Sequence, residues 1–564
     1  MTNEANEITN ENKAKTAQYE FRLFAPNNNK ASLIADFTDW QEIEMTKGTD
    51  GFFTVTQALA DGEFQYRFTI QSKSWFNATD EWKTITDPYA TNIDEETQNS
   101  ILKIKAGVKI VDEYVWTSDA TPLPENDSLV IYEMHVGDFS GGEDDGFSRG
   151  KYTDVIAKLD YLADLGINAL ELMPLKSNPG DYNWGYSPIH YFAPEKSFGT
   201  TEQLKELVDK CHALGIRVIV DGVYNHASTE IPLTQIDHDY WFRREGKDPE
   251  QNWGPEFNYE FVDEKLQINP GLKFITDSIK FWIFEYRIDG IRFDAAKQIN
   301  NFDALRTFVA EGRKMAEMKP FFTVGEFIPP SPEVTEPAGP VESCWNDSFM
   351  YAVVEYLSGE AWDFEKIKNA IDPTRLGYQN TTSTTNYLAN HDQNRLFRKL
   401  GENGILDEEL YIRAKLGALI LMTAVGVPMI WMGEEFGEFS ELTEQRNKIN
   451  WTLLESEANK DLHDHYKLLI SLRTDLAAFR STNIEFFHED VDSGVLAFHR
   501  FDDGGNGVVV VLNLSNSNLE NYTIANFPFN GSIYEVIKAS ETTAFENNLT
   551  TPLSRREGQI FVPK

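Results

Sequence analysis

Residues 217–226 read Arg-Val-Ile-Val-Asp-Gly-Val-Tyr-Asn-His. An apolar β-branched run ends abruptly in polar side chains. The same design recurs at 288–294, Ile-Asp-Gly-Ile-Arg-Phe-Asp, at 321–326, Phe-Phe-Thr-Val-Gly-Glu, and at 387–392, Tyr-Leu-Ala-Asn-His-Asp. Further short apolar runs lie at 130–134, 169–173 and 428–432, with a less regular one at 344–349. Between them, stretches such as 201–214 carry apolar residues at helical spacing. Short buried strands alternating with helices imply a parallel sheet, and eight strands over residues 128–480 fit a (β/α)8 TIM barrel. An open doubly wound sheet has the same pattern, but no glycine-rich phosphate loop follows any early strand.

Outside this region the period changes to two. At 64–70, Phe64, Tyr66, Phe68 and Ile70 alternate with polar residues, as in a half-buried strand. Residues 19–110 therefore read as an N-terminal β-sandwich with Trp40, Trp75 and Trp82 in its core. Residues 111–127, rich in Pro, Asp and Ser, read as a linker, and residues 481–564, with the strand 507–514, as a C-terminal all-β domain. The polar residues 1–18 read as a disordered leader. The uncharged stretch 416–432 is shorter than the ~20 residues of a membrane-spanning helix and is broken by Gly426 and Pro428; it reads as a buried helix, a turn and a strand.

The chain has 564 residues, with 51 Lys and Arg against 90 Asp and Glu, a net charge of −39. Such a balance repels phosphate backbones and anionic lipid, so neither a nucleic acid nor a membrane is an expected partner. Two distant cysteines, Cys211 and Cys344, make no disulfide framework. With no apolar leader to direct export, they point to a cytoplasmic location.

Barrel enzymes place their sites at the C-terminal ends of the strands, where Asp221, Arg292, Asp294, Glu326 and Asp392 gather. Asp294 and Glu326 close what would be adjacent strands, the arrangement needed by a nucleophile and an acid/base in glycoside hydrolysis with retention. Arg292, two residues before Asp294 on the same side of the strand, would keep that carboxylate ionised. No cation neighbours Glu326 in sequence, leaving its pKa free to rise. Singly, each of these residues is as readily a cap or a solvated loop residue. Glu434 and Glu435 read as structural or rim charges, and the acidic loop 142–145 as solvated.

The segments DGVYNH, GIRFDAAK, VGEF and ANHD, in that order, resemble the four short regions characteristic of the α-amylase superfamily, glycoside hydrolase family 13. WGYSPIHYFAP, FGT and GVPMIWMGEEFGE match the same family, and NWGPEFN resembles its fifth short region. Residues 21–40 resemble the early-set sandwich that precedes the barrel in branching, debranching and trehalose-releasing members. The resemblance implies Asp294 as nucleophile, Glu326 as general acid and then base, and Asp392 as the residue that holds ring hydroxyls. It implies that His226 and His391 bond the sugar, that Tyr186 stacks on it, and that Asp221 and Arg292 complete the electrostatic frame. Lys297 follows the nucleophile as in many amylases, but Gln298 replaces the histidine often found next to it.

No cofactor is expected: the excursion after the third strand is short for a calcium-binding domain, although Asn225 offers an oxygen suited to a hard cation. Asn390-His391-Asp392-Gln393 looks more like hydrolases than like branching enzymes, which tend to carry Ser-His-Asp-Glu. The implied substrate is an α-1,4-glucan or maltooligosaccharide of glycogen metabolism. Branching transfer and trehalose release stay open as alternatives, and a non-catalytic glucan-binding protein is the other class.

Overall fold

The computed structural model describes residues 16–564 except 95, 143–148, 181–183, 249, 318, 360–362 and 444–446. Most of the leader and the acidic residues 143–145 lie outside the described residues. Eight strands close on themselves: β1 (Ile131–Met134), β2 (Ala169–Leu172), β3 (Arg217–Gly222), β4 (Gly290–Phe293), β5 (Phe322–Gly325), β6 (Ser343–Asn346), β7 (Thr384–Asn386) and β8 (Val427–Trp431). Every neighbouring pair is parallel, and β1 pairs with β8 through Ile131 opposite Met429. This is a closed (β/α)8 barrel, not an open sheet.

Successive side chains on a strand alternate between faces. Leu129, Ile131, Ala169, Ile219, Phe322, Val324, Trp345, Val427 and Met429 share one core cluster, so the alternate residues beyond them on each strand continue the same inward face. This carries Glu133, Glu171, Asp221, Arg292 and Glu326 into the barrel. Gly290 permits the tight β4–β5 spacing, because a Cβ there would fall 2.6 Å from the Phe322 carbonyl oxygen.

Helix α1 (Thr201–Ala213) begins at a capping box: the Gln203 amide donates to Thr200 Oγ1 at 3.2 Å, and the Thr200 amide to Gln203 Oε1 at 2.9 Å. Reciprocal bonds of this kind satisfy two N–H groups that a helix start otherwise leaves unpaired. Helix α2 (Pro270–Tyr286) leads into β4, and α3 (Phe302–Ala316), packed against it, into β5. The uncharged stretch 416–432 forms the end of α4 (Asp407–Thr423), a turn and β8.

The seventh strand differs from its sequence reading. The apolar run 387–389 is loop, with a bend at Leu388, and the strand is the preceding Thr384–Asn386. Its ladder to β8 stops at Asn386 opposite Pro428, which has no N–H to donate. Polar residues can be buried here because they bond one another: Thr385 with Ser343 at 2.8 Å, and Asn386 with Asn346 at 2.8 Å and the Val425 carbonyl at 2.9 Å.

The N-terminal strands form two sheets, one built on Ala17–Phe24 and Phe52–Leu59, the other on Ala31–Ala35 and Gly62–Gln71. Trp40, Trp75 and Trp82 are not core: they are 42%, 56% and 46% exposed. Trp40 follows a short 3-10 turn in the left-handed region (φ 60°), and Trp75 lies in the irregular segment after Gln71. The inward ring positions belong to Phe21, Phe53, Tyr66 and Phe68.

The segment 111–125 is irregular but tied down. Asp112 pairs with Lys205 at 2.9 Å, and Asp209 of α1 accepts from the Tyr114 hydroxyl at 2.9 Å, the Thr117 hydroxyl at 2.6 Å and the Ser118 amide at 2.8 Å. After helix α5 (Glu457–Asp475), a six-stranded sheet and a two-stranded sheet enclose a separate apolar cluster around Val509, Val511 and Phe561. Both cysteines are buried and free, and no helix among the described residues is long and apolar enough to cross a membrane.

Candidate active site

Arg292, fully buried on β4, organises the C-terminal mouth of the barrel. Its Nη1 donates to Asp221 Oδ1 and Oδ2 at 2.9 and 2.7 Å and to Asp294 Oδ1 at 2.9 Å. Its Nη2 approaches Glu326 Oε2 to 3.0 Å without hydrogen-bond geometry, and its guanidinium stacks 4.2 Å from the Trp345 ring centroid. Asp221, Asp294 and Glu326, from three successive strands, are thereby drawn to one cation.

Two sequence expectations change. The absence of a cation beside Glu326 held only along the chain, since Arg292 reaches it from the preceding strand. Nor does Arg292 serve Asp294 alone. Burial pushes the Asp294 carboxyl well above its ordinary range, Arg292 opposes this, and Glu326 and Asp221 push it further up. One guanidinium shared by three carboxylates, two of them buried, cannot offset them all. Asp294 is the member of the Asp294–Glu326 pair whose ionised form Arg292 hydrogen-bonds.

Ala295, directly after Asp294, adopts φ 47°, a left-handed conformation costing roughly 1–2 kcal/mol in a residue with a Cβ. That turn aims its N–H at Glu326 Oε2, 2.7 Å away. Strain next to a reactive group is a recurring feature of functional sites.

Tyr186 stacks on His391 at 5.1 Å and 17°. Its hydroxyl donates to Asp221 Oδ2 at 2.5 Å and lies 2.8 Å from His391 Nε2. His226 Nε2 donates to the Tyr186 carbonyl at 2.8 Å, and burial lowers the pKa of this imidazole. Trp253, half exposed, tilts 5.5 Å from the same ring. Asp392 stands at the open edge with its side chain 47% exposed and Oδ1 3.4 Å from His391 Nε2.

The structure thus brings together Tyr186, Asp221, His226, Arg292, Asp294, Glu326, His391 and Asp392. Lys297 is exposed at the same rim: its backbone N–H donates to the Glu326 carbonyl at 3.3 Å and its Nζ to the Ile328 carbonyl at 2.6 Å. Gln298 bonds Gln251 at 3.1 Å. Among the described residues no group of three or more His, Cys, Asp or Glu side chains is placed to hold a metal ion.

Several buried residues escaped the sequence reading. Glu133 on β1 lies 2.6 Å from His391 Nδ1, and Glu171 on β2 is its register neighbour. Lys176 sits 4.9 Å from both the Tyr224 and Trp282 rings, its pKa brought down to about 7 by burial despite Asp221. Glu434 and Glu435 are buried, so neither is a rim charge. Tyr466 donates to Glu434 at 3.0 Å, and Tyr132 and Tyr161 donate to Glu435 at 3.0 and 2.7 Å.

Residues 131–469 match the alpha amylase catalytic domain, and residues 8–90 match carbohydrate-binding module 48, the isoamylase N-terminal domain. The chain is 25% identical to malto-oligosyltrehalose trehalohydrolase of Saccharolobus solfataricus, over 82% of this chain and 87% of that protein. It is also 25% identical to the 1,4-alpha-glucan branching enzyme of Nitrosomonas eutropha, over 94% and 76% respectively. In structure it superposes on pullulanase type I from Bacillus subtilis, complexed with maltose, with a TM-score of 0.82 at 22% identity, covering 98% of this chain and 85% of that one. With the catalytic-domain match spanning more than half of its length, on a closed barrel whose strand ends carry the carboxylates, this chain belongs to the alpha-amylase family.

Proposed function

We propose that the protein is a retaining glycosidase that hydrolyses α-1,4-linked glucans or maltooligosaccharides. The observation that carries this reading is the convergence of Asp294 and Glu326, from adjacent strands, on the single guanidinium of Arg292. Asp294 attacks the anomeric carbon while Glu326 gives its proton to the departing glycosidic oxygen, leaving a covalent glycosyl-enzyme. Glu326 then takes a proton from water as that water displaces Asp294, and the second inversion restores the original configuration. Arg292 and Asp221 hold the frame, and Tyr186, His226 and His391 bind the sugar in the cleavage subsite. No cofactor takes part. The two buried thiols support placement in the cytoplasm, where glycogen is the available polymer.

Asp392 holds hydroxyls of the distorted sugar, a contact that strengthens as the ring flattens. Asp392→Asn should therefore lower kcat by roughly 10³-fold or more while changing KM far less, because only contacts strengthened in the transition state act on kcat. Steady-state kinetics on maltooligosaccharides decide this, and a variant altered in KM alone would remove the distortion role.

Branching transfer is the second reading, favoured by the likeness to branching enzymes over nearly the whole chain. Release of trehalose is a third, resting on the trehalohydrolase relative. Hydrolysis yields new reducing ends from soluble α-glucan, with stereochemical retention and no loss on adding chelator. A reducing-sugar assay beside iodine absorbance and chain profiling after debranching separates the readings. Loss of iodine colour without reducing ends, together with new short branches, would establish branching instead, and trehalose as product from a trehalose-capped maltooligosaccharide would establish the third.

A further inference from the structure

His391 is faced by charge from several elements. Glu133 Oε1 on β1 lies 2.6 Å from Nδ1, and Asp392 Oδ1, in its own loop, 3.4 Å from Nε2. Arg292 on β4 repels its charge. Glu171 on β2 and Asp221 on β3 stand one position further, beside Glu133 and Tyr186 respectively. Among the described residues, the uncharged rings of Trp184, Trp345 and Trp431 also border it.

Counting hydrogens places one of them on Nε2 of this ring. Tyr186 has one hydroxyl hydrogen, and Asp221, held twice by Arg292, can only accept it. The Tyr186 oxygen is then left to accept from His391, so Nε2 carries a hydrogen. The other nitrogen meets the carboxylate of Glu133.

We propose that Glu133 is a positioning residue that holds His391 as an imidazolium, donating Nδ1–H to Glu133 and Nε2–H toward Tyr186 and Asp392, so that a charged donor of fixed orientation borders the sugar site. The inference rests on the glycosidase reading for its catalytic meaning but not for its chemistry. Burial alone would lower the His391 pKa, yet Asp392 and Glu133 bring it to about 9. Glu171 is buried with neither oxygen hydrogen-bonded, and burial, then Glu133, push its carboxyl well above the ordinary range. That shift favours its uncharged form, and Glu133, not Glu171, is the acid in hydrogen-bond contact with the ring inside the barrel.

The test is the imidazole ¹⁵N spectrum of the full chain labelled at its 10 histidines, with the His391 signals identified by their loss in His391→Gln. The wild-type ring is expected to be doubly protonated at pH 7.5. In Glu133→Gln, whose amide oxygen can still accept from Nδ1–H, the midpoint should fall by about one to two pH units, and Glu133→Asp should restore part of the shift. Glu171→Gln should leave the midpoint in place. The alkaline limb of kcat/KM should fall with the midpoint in Glu133→Gln. A neutral wild-type ring at pH 7.5, an unmoved midpoint in Glu133→Gln, or an equal shift in Glu171→Gln would overturn the assignment. If Glu133→Gln does not fold, the wild-type titration still decides the charge of the ring, and the midpoint in Glu133→Asp decides whether Glu133 sets it. Because the nitrogen shifts are read without substrate, an absence of glucan hydrolysis would count against the proposed function and leave the dyad standing.

Discussion

Asp294→Ala and Glu326→Gln should each fold as the parent does and lose turnover by roughly 10⁴-fold or more. The two variants remove different halves of a two-step reaction. Without the Asp294 carboxylate no glycosyl-enzyme forms. With a glutamine at 326 the leaving oxygen receives no proton, so a substrate with an already acidic leaving group, such as a nitrophenyl glycoside, should recover much of the first step in that variant alone. The alanine also relieves the buried cluster of one negative charge, so its melting temperature should equal or exceed the parent's. Melting curves and single-turnover rates on both substrates make the comparison. Near-parental activity in either folded variant would refute the placement of the chemistry.

Arg292→Met has a different signature. Removing one partner of a buried ion pair typically costs about 3–5 kcal/mol, because the remaining charge is left uncompensated, and here three carboxylates lose the same cation. Asp294, already raised by burial with Arg292 opposing, rises further. A carboxyl whose pKa is higher folded than unfolded binds more protons in the folded chain. Its destabilisation is therefore absent below the unfolded value and grows as pH rises through the folded one. The melting-temperature deficit of the variant against the parent should be smallest near pH 4 and widen toward pH 8. A deficit independent of pH would mean that lost packing against Trp345 dominates, not charge.

The sequence disclosed the residues at strand ends better than those inside strands. A polar residue closing an apolar run is visible as a change of pattern, which is how Asp221, Arg292, Asp294 and Glu326 could be read. Glu133 and Glu171 occupy the third position of otherwise apolar strands, Ile-Tyr-Glu-Met and Ala-Leu-Glu-Leu. A single acid there looks like an interruption until barrel closure shows that both face inward and sit opposite each other. That shared position was the available signal. The neighbourhood of Glu326 was illegible for the converse reason: its cation comes from the adjacent strand, and chain order carries no information about register. Strand β7 hid because its three residues are all polar, buried by virtue of bonds to β6 and to the carbonyl of Val425 that no periodicity reveals. The three tryptophans misled because hydrophobicity alone does not distinguish a ring facing a sheet interior from one on a turn, as at Trp40 and Trp75, or on the outer face of a strand, as at Trp82.

The segment joining sandwich to barrel has one more consequence. Its composition suggests a flexible tether, which would let the two bodies explore many separations and make any second contact to a long polymer a matter of effective concentration. The bonds from Asp112, Tyr114, Thr117 and Ser118 to α1 remove that freedom, and a second seam reinforces them. Asn28 donates to the Ile236 carbonyl at 2.8 Å, as does the Lys73 amide at 2.9 Å. The distance from the exposed Trp75 to the carboxylates is thus a constant of the molecule, like the gap of a calliper. Lengthening the connection would not by itself free the sandwich, because the seam at Ile236 holds it independently.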